Sequence, residues 1–422
     1  MKIKRLPEDF QVEELTDSLW GGGPYAVYRL TKRSLGTPEA IDEIARRWKT
    51  QRRRISYGGL KDKHARTIQY VSILHGARRN LSANNFELEY VGQRDQPFTP
   101  QDIASNRFKL VIRDLSNQAL ERALRALPEV QSAGLPNYFD DQRFGSVGVS
   151  DEFIARSWCL GDYERALWLA LAEPHPDDRG DERQQKQILR DHWGRWVECK
   201  AALERSHRRS IVTYLADKPP DRPDYRGAFS RIKVDLRGLY LSAFQSHLWN
   251  RMLDKFLRSE LPADRLVDVP LRMGPAPFFA ELDGDTSQRL QATNLPLPSS
   301  RLHLDSGPMF DLICGVLAEF GMEMRQLRVK YPRDSFFSKG ERAAAIPIRG
   351  LTCEMASDEL YAGRKKMLLN FELPRGSYAT VLVKRLFDVG AETPESTDTR
   401  HTPAEGAHPE AEADSAATAS DQ

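Results

Sequence analysis

The spacing of hydrophobic residues changes several times along the chain, and each spacing predicts a particular kind of secondary structure. Alternating or continuous apolar residues predict strands at 25–30, 68–74, 108–113, 366–373 and 379–386. Apolar residues three or four positions apart predict helices over 239–256 and 309–320, and two more that are capped by Thr37 and by Ser116, the latter ended by Pro128. This mixture predicts a fold with both α and β structure.

The length of the chain and a change in its pattern predict more than one domain. At 422 residues, the chain is longer than one ordinary domain. Residues 151–216 have a helical pattern that is rich in Arg and Glu, and residues 262–312 contain short strands within Pro- and Gly-rich loops. Strand patterns return after about residue 347. A second unit is therefore expected between two strand-containing parts of the chain.

Charge is distributed unevenly along the sequence. Residues 389–422 contain eight acidic residues and one Arg, a net charge of −7. Since the whole chain has a net charge of +2, residues 1–388 carry +9. The acidic segment has almost no large apolar residue, and we expect it to be a disordered tail. The basic remainder is compatible with a polyanionic partner such as a nucleic acid.

Several classes of protein and site are disfavoured by composition. No apolar run approaches the roughly 20 residues that a membrane span needs, and residues 1–9 lack an apolar signal region. A cytoplasmic protein without membrane contact is therefore expected. The four cysteines form no C-x-x-C pair, which argues against a metal site and against a disulfide framework.

The strongest candidate for chemistry is the segment 56–69, which contains Asp62 between Lys61 and Lys63. Flanking cations favour the ionised form of a carboxylate, and an ionised, oriented Asp can act as a nucleophile or a base. Gly58 and Gly59 precede it and allow a tight turn or a close approach of a ligand. A solvated turn with alternating charges is the alternative interpretation.

A second candidate lies at 137–144, where Asn137, two aromatic residues, Gln142, Arg143 and Phe144 follow closely. Such a mixture can stack an unstacked base and hydrogen-bond its edge, although a local aromatic cluster within a turn has the same composition. Two basic clusters are candidates for RNA phosphate contacts or, equally, for solvated surface. They contain Arg52, Arg53, Arg54, Arg208 and Arg209.

Four segments, in their order along the chain, resemble motifs of the TruD family of tRNA pseudouridine synthases. The segment 59–69 reads Gly-Leu-Lys-Asp-Lys-His-Ala-Arg-Thr-Ile-Gln, and residues 4–14 contain Lys, then Pro-Glu-Asp-Phe and Val-Glu-Glu. Residues 137–145 resemble Asn-Tyr-Phe-Gly-x-Gln-Arg-Phe-Gly, and residues 371–380 resemble Phe-x-Leu-Pro-x-Gly-Ser-Tyr-Ala-Thr. A weaker match is the predicted helix at 242–250.

The resemblance implies roles for individual residues. Asp62 would be the catalytic residue, and Lys4 would be the basic residue beside it. The residues that would contact the target base are Phe10, Asn137, Phe139 and Tyr378; Asn137 would bond the base or hold the Asp62 loop. Each of the three aromatic residues also fits an ordinary core or strand-end position.

The resemblance also implies a fold and a reaction. The expected fold class is α+β, a catalytic domain with a mixed or antiparallel sheet and flanking helices (1–155 and 348–388), an inserted α/β domain (156–347) and the tail (389–422). The expected reaction is isomerisation of uridine to pseudouridine in tRNA, at uridine 13 of the D arm, by a monomer that uses no cofactor. Asp62 would attack C1′ of the ribose or remove a sugar proton.

One residue departs from the family pattern, and two other functions remain open. Asp140 occupies the position where the family motif has Gly, so it adds a second carboxylate near the site. A catalytically silent RNA-binding protein on the same fold is one alternative. A nucleoside hydrolase is another, which would need a second carboxylate opposite Asp62, supplied by Asp140 or Asp141.

Overall fold

A computed structural model describes residues 1–388 of the chain, and the predicted tail lies outside these residues. The strands are β1 (Phe10–Leu15), β2 (Tyr25–Arg33), β3 (Ile55–Tyr57), β4 (Arg66–Leu74), β5 (Leu81–Ser82), β6 (Phe86–Arg94), β7 (Ser105–Leu115), β8 (Leu135–Pro136), β9 (Leu266–Leu271), β10 (Gly274–Phe279), β11 (Asn294–Pro296), β12 (Glu341–Ala343), β13 (Ala345–Ile346), β14 (Arg349–Ser357) and β15 (Lys365–Pro374). The helices are α1 (Thr37–Arg47), α2 (Asn117–Ala133), α3 (Ile154–Leu160), α4 (Tyr163–Leu171), α5 (Gly180–Asp191), α6 (Trp196–Ala202), α7 (His207–Ala216), α8 (Tyr225–Ser230), α9 (Val234–Glu260), α10 (Gly284–Ala292), α11 (Pro308–Glu319) and α12 (Ala379–Phe387).

The main sheet has nine strands in the order β14-β15-β7-β1-β4-β2-β6-β5, with β3 also paired to β4. Strands β1 and β4 run parallel, and the other neighbours are antiparallel. The mixed sheet and the α+β class are therefore as predicted. Strands β14 and β15 follow all the helices from α3 to α11 in the chain. Strand β15 pairs with β7 and β14 pairs with β15, so the two ends of the described chain build one sheet.

The segment between α2 and β14 contains helices and short two-stranded pairs. The residues in the middle of its longest helix, α9, are buried, and they include Phe244, Leu248 and Trp249. The apolar spacing predicts this helix. The boundaries of an inserted domain at 156 and 347 stay a prediction. None of the helices within residues 1–388 combines the length and the apolar character that crossing a membrane requires.

The prediction of a strand at 379–386 is wrong, because these residues form α12. A continuous apolar run fits a buried strand or a buried helix equally well. Strand β15 is already paired with β14 on one side and β7 on the other. The chain after it therefore turns at Gly376, which has φ 79°, and returns as a helix that packs against α2.

Two predicted helix ends also differ from the structure. Pro128 does not end α2, which continues to Ala133 because Val130 and Ala133 are buried, and Gly134 at φ 77° follows the helix. Thr37 is the first residue of α1 rather than its cap, which is Gly36. The Thr37 hydroxyl is thereby free to bond the Asp62 loop.

Candidate active site

Lys4 and Asp62, 58 residues apart in the chain, form an ion pair with 2.5 Å between Nζ and Oδ2. The Lys4 ammonium also lies 4.1 Å from the ring centroid of Phe10. Lys4 has φ 59°, a conformation that costs a non-glycine residue about 1 kcal/mol. Three of the predicted site residues thus lie together, and one of them is held in a strained conformation.

The two lysines beside Asp62 in the sequence are not its cationic partners. Lys61 reaches Glu14 Oε1 at 3.1 Å and Asn106 Oδ1 at 2.8 Å. Lys63 Nζ donates a hydrogen bond to Glu39 Oε1 at 3.0 Å. Burial raises the pKa of Glu14, and the Lys61 charge opposes that rise. The flanking charges therefore anchor the loop, and Lys4 is the cation that contacts the Asp62 carboxylate.

Lys32, on β2, holds the backbone of the Asp62 loop through hydrogen bonds to its carbonyl oxygens. Its side chain is fully buried, and Nζ donates to the carbonyl oxygens of Leu35 at 2.7 Å, Lys61 at 3.1 Å and Asp62 at 2.9 Å. A buried ammonium needs several acceptors, and the loop supplies two of these three. Lys32 is a site residue that sequence reasoning missed.

A chain of uncharged hydrogen bonds holds the other side of the loop. The Lys61 backbone N–H donates to Thr37 Oγ1 at 3.0 Å, and that hydroxyl donates to Gln69 Oε1 at 2.8 Å. Gln69 Nε2 then donates to the Gly59 carbonyl at 3.1 Å. The loop that carries Asp62 is therefore bound to α1, β2 and β4, which places the carboxylate on a rigid support.

Arg342, on β12, brings the other predicted site residues together. Its guanidinium donates to Asn137 O at 2.8 Å, to Asn137 Oδ1 at 2.6 Å and to Gly376 O at 2.8 Å. The same group lies 4.2 Å from the ring centroid of Phe139 and 5.9 Å from that of Tyr378. Burial lowers the pKa of Arg342 to about 10. No sequence motif indicated it, because Asn137 is 205 residues away.

The backbone of Phe139 is clamped by the predicted core helix α9. Asn250 Oδ1 accepts from the Phe139 N–H, and Asn250 Nδ2 donates to the Phe139 carbonyl, both at 2.9 Å. The ring of Phe139 packs edge-on against Trp249 at 5.5 Å and contacts Tyr378 at 6.3 Å. Phe139 is buried and Tyr378 is half-buried, so Tyr378 presents the more open aromatic surface.

Strands β7 and β15 connect the two groups of residues. Phe10 contacts Phe108 at 6.3 Å, and Phe108 stacks on Phe371 at 5.3 Å. Asn106, which binds Lys61, is the register partner of Leu373 on β15, and Tyr378 follows five residues later. The Asp62 loop therefore lies next to the strand whose end leads into the Arg342 cluster.

Asp140 and Asp141 are both paired with Lys384 of α12, at 2.9 and 2.7 Å. Asp140 has φ −77°, so this position needs no left-handed conformation and accepts Asp without strain. Burial alone would lower the pKa of Lys384, but the two carboxylates outweigh this effect and raise the pKa above its ordinary value. Both carboxylates that a hydrolase could use as a second acid therefore face the same lysine.

We expect Lys384→Met to destabilise the fold, since it leaves the nearly fully buried Asp140 carboxylate without its cation. Breaking one side of a buried pair lowers the free energy of unfolding by about 3 kcal/mol. Chemical denaturation would measure this loss. The double variant Asp140→Gly/Lys384→Met should recover part of the loss, because no unpaired buried carboxylate remains at 140. Equal stability of the single and double variants would contradict this account.

The five arginines predicted to contact phosphate have different surroundings. Arg52, Arg53 and Arg54 form one exposed 3₁₀ turn, where Arg52 pairs with Asp42. Arg208 makes a two-point contact with Glu182, and Arg209 donates to the Lys200 carbonyl. The first cluster is thus exposed to solvent, whereas the side chains of the second cluster form hydrogen bonds with other residues of the protein.

Comparison with known proteins gives matches along almost the whole described chain. A family model described as tRNA pseudouridine synthase D (TruD) matches residues 1–386. The chain is 30% identical to "Probable tRNA pseudouridine synthase D 2" of Methanocaldococcus jannaschii, with 92% of each chain covered. It is 28% identical to tRNA pseudouridine synthase D of Leptospira interrogans serovar Lai, covering 91% of this chain and 95% of that one.

A solved structure agrees with the fold as well. The crystal structure of a TruD protein from Methanosarcina mazei aligns with a TM-score of 0.68 at 26% identity, covering 92% of this chain and 93% of that one. The mixed sheet and its helices are shared over that length, and the four sequence motifs lie within the matched residues. The chain belongs to the TruD family of tRNA pseudouridine synthases.

Proposed function

We propose that this protein isomerises uridine 13 in the D arm of tRNA to pseudouridine, with Asp62 acting on the ribose. The observation that carries the proposal is the contact of Lys4 with Asp62, whose loop is held in place by partly buried hydrogen bonds. Preorganised charge of this kind accelerates a reaction because little rearrangement is needed in the transition state.

The reaction exchanges one bond to the ribose for another. The N1–C1′ bond of uridine breaks, the uracil turns, and C5 bonds to C1′ while the C5 proton is lost and N1 gains a proton. Asp62 attacks C1′ or removes a proton from the ribose, and Lys4 orients the carboxylate through its contact with Oδ2. Atoms and electrons balance without an oxidant or a second substrate.

The target base must leave its stack, which costs a few kcal/mol and requires replacement contacts. The half-buried ring of Tyr378 supports a stacking role. The buried rings of Phe139 and Phe10 contact Tyr378 and Lys4, respectively. The side-chain oxygen of Asn137 accepts from Arg342 and Ser377, and one N–H donates to the Ala343 carbonyl. One N–H of the amide remains for a carbonyl of uracil.

Phosphate contacts are proposed for the exposed turn of Arg52, Arg53 and Arg54. These side chains stand just before β3, which leads into the Asp62 loop. Arg208 and Arg209 are less suited to this role, because a phosphate would have to replace their contacts with Glu182 and the Lys200 carbonyl.

The experiment that tests the function is pseudouridine mapping on an unmodified tRNA transcript treated with the wild-type protein. We expect product at uridine 13 and none in a matched transcript with cytidine at that position. Product at another uridine would refute the proposed target. Tight binding of the transcript without any pseudouridine would instead favour the silent RNA-binding protein.

We expect Arg342→Lys to slow pseudouridine formation about tenfold at saturating tRNA. Lysine keeps a positive charge but cannot donate simultaneously to Asn137 and Gly376 from one planar group. A single-turnover rate measures the effect, and Arg349→Lys on the exposed surface of β14 is the matched control. Identical rates for the Arg342 variant and the wild type would show that the hydrogen bonds of Arg342 to Asn137 and Gly376 have no positioning role.

A further inference from the structure

A cavity of about 260 Å³, whose lining includes no residue of the Asp62 site, lies between two segments of the predicted insertion. One segment follows β11 and contains residues 299–301; the other follows α11 and contains residues 327–337. Of the eleven lining residues, four are cations and none is a carboxylate; the cations are Arg301, Arg328, Lys330 and Arg333. We call this cavity the Phe336 pocket, after the aromatic residue at its wall.

The walls of the Phe336 pocket are fixed to each other and to α9. The Ser300 N–H donates to the Leu327 carbonyl at 3.1 Å. Gln245 of α9 donates to the carbonyls of Pro298 at 3.0 Å and Ser338 at 2.9 Å. The pocket is therefore formed before any ligand arrives, which reduces the entropy cost of binding.

The charge of the pocket is not neutralised by its neighbours within residues 1–388. The nearest acidic residue in the chain, Asp334, is held by Arg237 of α9 at 2.7 and 2.8 Å. The four lining cations are exposed and make no ion pair with the described part of the chain. A concave surface with four such charges attracts anions.

Phe336 adds an aromatic surface to this positive concavity. Its side chain is 48% exposed, although large aromatic residues are usually buried. The Arg301 guanidinium lies 5.2 Å from its ring centroid. Aromatic rings and guanidinium planes are the surfaces on which proteins stack unpaired bases.

We propose that the Phe336 pocket is a second RNA subsite, which binds one unstacked nucleotide of the tRNA. The base stacks on Phe336 beside Arg301, and Arg328, Lys330 and Arg333 hold the adjoining phosphates. This inference rests on the proposed function, because it takes the same tRNA as the ligand. Phe337 is five residues before Arg342, so the Cα atoms of these two residues are within about 18 Å of each other.

The test measures the Kd of an unmodified tRNA transcript as a function of salt concentration. Phe336→Ala should raise Kd about tenfold through lost stacking, with an unchanged salt dependence. The double variant Arg328→Gln/Lys330→Gln should also raise Kd, and should reduce the slope of log K against log salt by about 1.4, since each phosphate contact to a single strand contributes about 0.7.

The controls separate the pocket from general charge and from folding. Arg325→Gln removes a charge in the same segment but outside the pocket, at a residue that is 81% exposed and paired with Glu323; its Kd should stay within about twofold of the wild-type value. Phe336→Trp should restore the affinity that Phe336→Ala loses. Thermal unfolding of each variant should match that of the wild type.

Two outcomes overturn the inference in different ways. If Phe336→Ala and the double variant bind the transcript as Arg325→Gln does, while the wild type still modifies uridine 13, the subsite is refuted and the proposed function stands. If the wild type neither binds nor modifies the transcript, both the subsite and the proposed function are refuted.

Discussion

Asp62→Asn is expected to lower the single-turnover rate of pseudouridine formation at least about a thousandfold. Asparagine has nearly the same shape, and its side-chain oxygen can still accept from Lys4. Its amide is neutral, however, so it can neither attack C1′ nor remove a sugar proton. The rate should be measured with enzyme in excess over an unmodified tRNA transcript, with the product mapped by position.

The affinity of Asp62→Asn for tRNA should stay close to the wild-type value, because the substitution removes negative charge and leaves the basic surface intact. The matched control is Asp177→Asn, at a carboxylate that is 89% exposed, which should leave both rate and affinity unchanged. A loss of less than tenfold in Asp62→Asn would mean that another group performs the chemistry. Lost binding would point to a disturbed fold instead.

The parts of the site that the sequence predicted are those carried by contiguous motifs. The segment 59–69 contains the candidate Asp62, and residues 137–145 contain the candidates Asn137 and Phe139. The partnership of Lys4 and Asp62 depended on resemblance to a family, because residues 58 positions apart show no local pattern. Charge alone suggested Lys61 and Lys63 as the neighbours of the carboxylate, and both side chains bind other acids in the structure.

Lys32 and Arg342 were missed because their partners are mainly backbone carbonyls of distant segments. A carbonyl acceptor leaves no trace in the side-chain sequence, so neither residue formed part of a motif. A weak signal was present for Lys32, which occupies an inward position in the alternating pattern of β2. A lysine at such a position must find acceptors inside the protein.

The error at 379–386 has a similar origin. Whether a short apolar run forms a strand or a helix depends on whether a neighbouring strand has a free edge. Strand β15 has none within the described residues, since it pairs with both β14 and β7. That information belongs to the tertiary fold. The same helix then supplies Lys384, which explains how a carboxylate is accommodated at 140.

Lys32→Met is expected to reduce the rate of pseudouridine formation about a hundredfold while leaving tRNA affinity within about threefold of the wild-type value. Methionine has a similar length and fills the buried space. It cannot donate to the carbonyls of Lys61 and Asp62, and an unpaired buried acceptor costs about 1–3 kcal/mol. The loop should shift to hydrate these groups, and displacement of a catalytic group by about 1 Å costs about a hundredfold in rate.

A control in the same loop distinguishes support of the loop from a general effect of positive charge. Lys63→Met removes a cation next to Asp62 in sequence, but one that is 42% exposed and paired with Glu39, so the rate should fall no more than about threefold. Measuring rate at saturating tRNA and Kd separately is essential, because a substrate-binding lysine would alter Kd. If Lys32→Met and Lys63→Met lose the same activity, Lys32 does not position Asp62. A large loss confined to the rate of Lys32→Met would mean that a lysine remote from the substrate sets the geometry of the nucleophile or base.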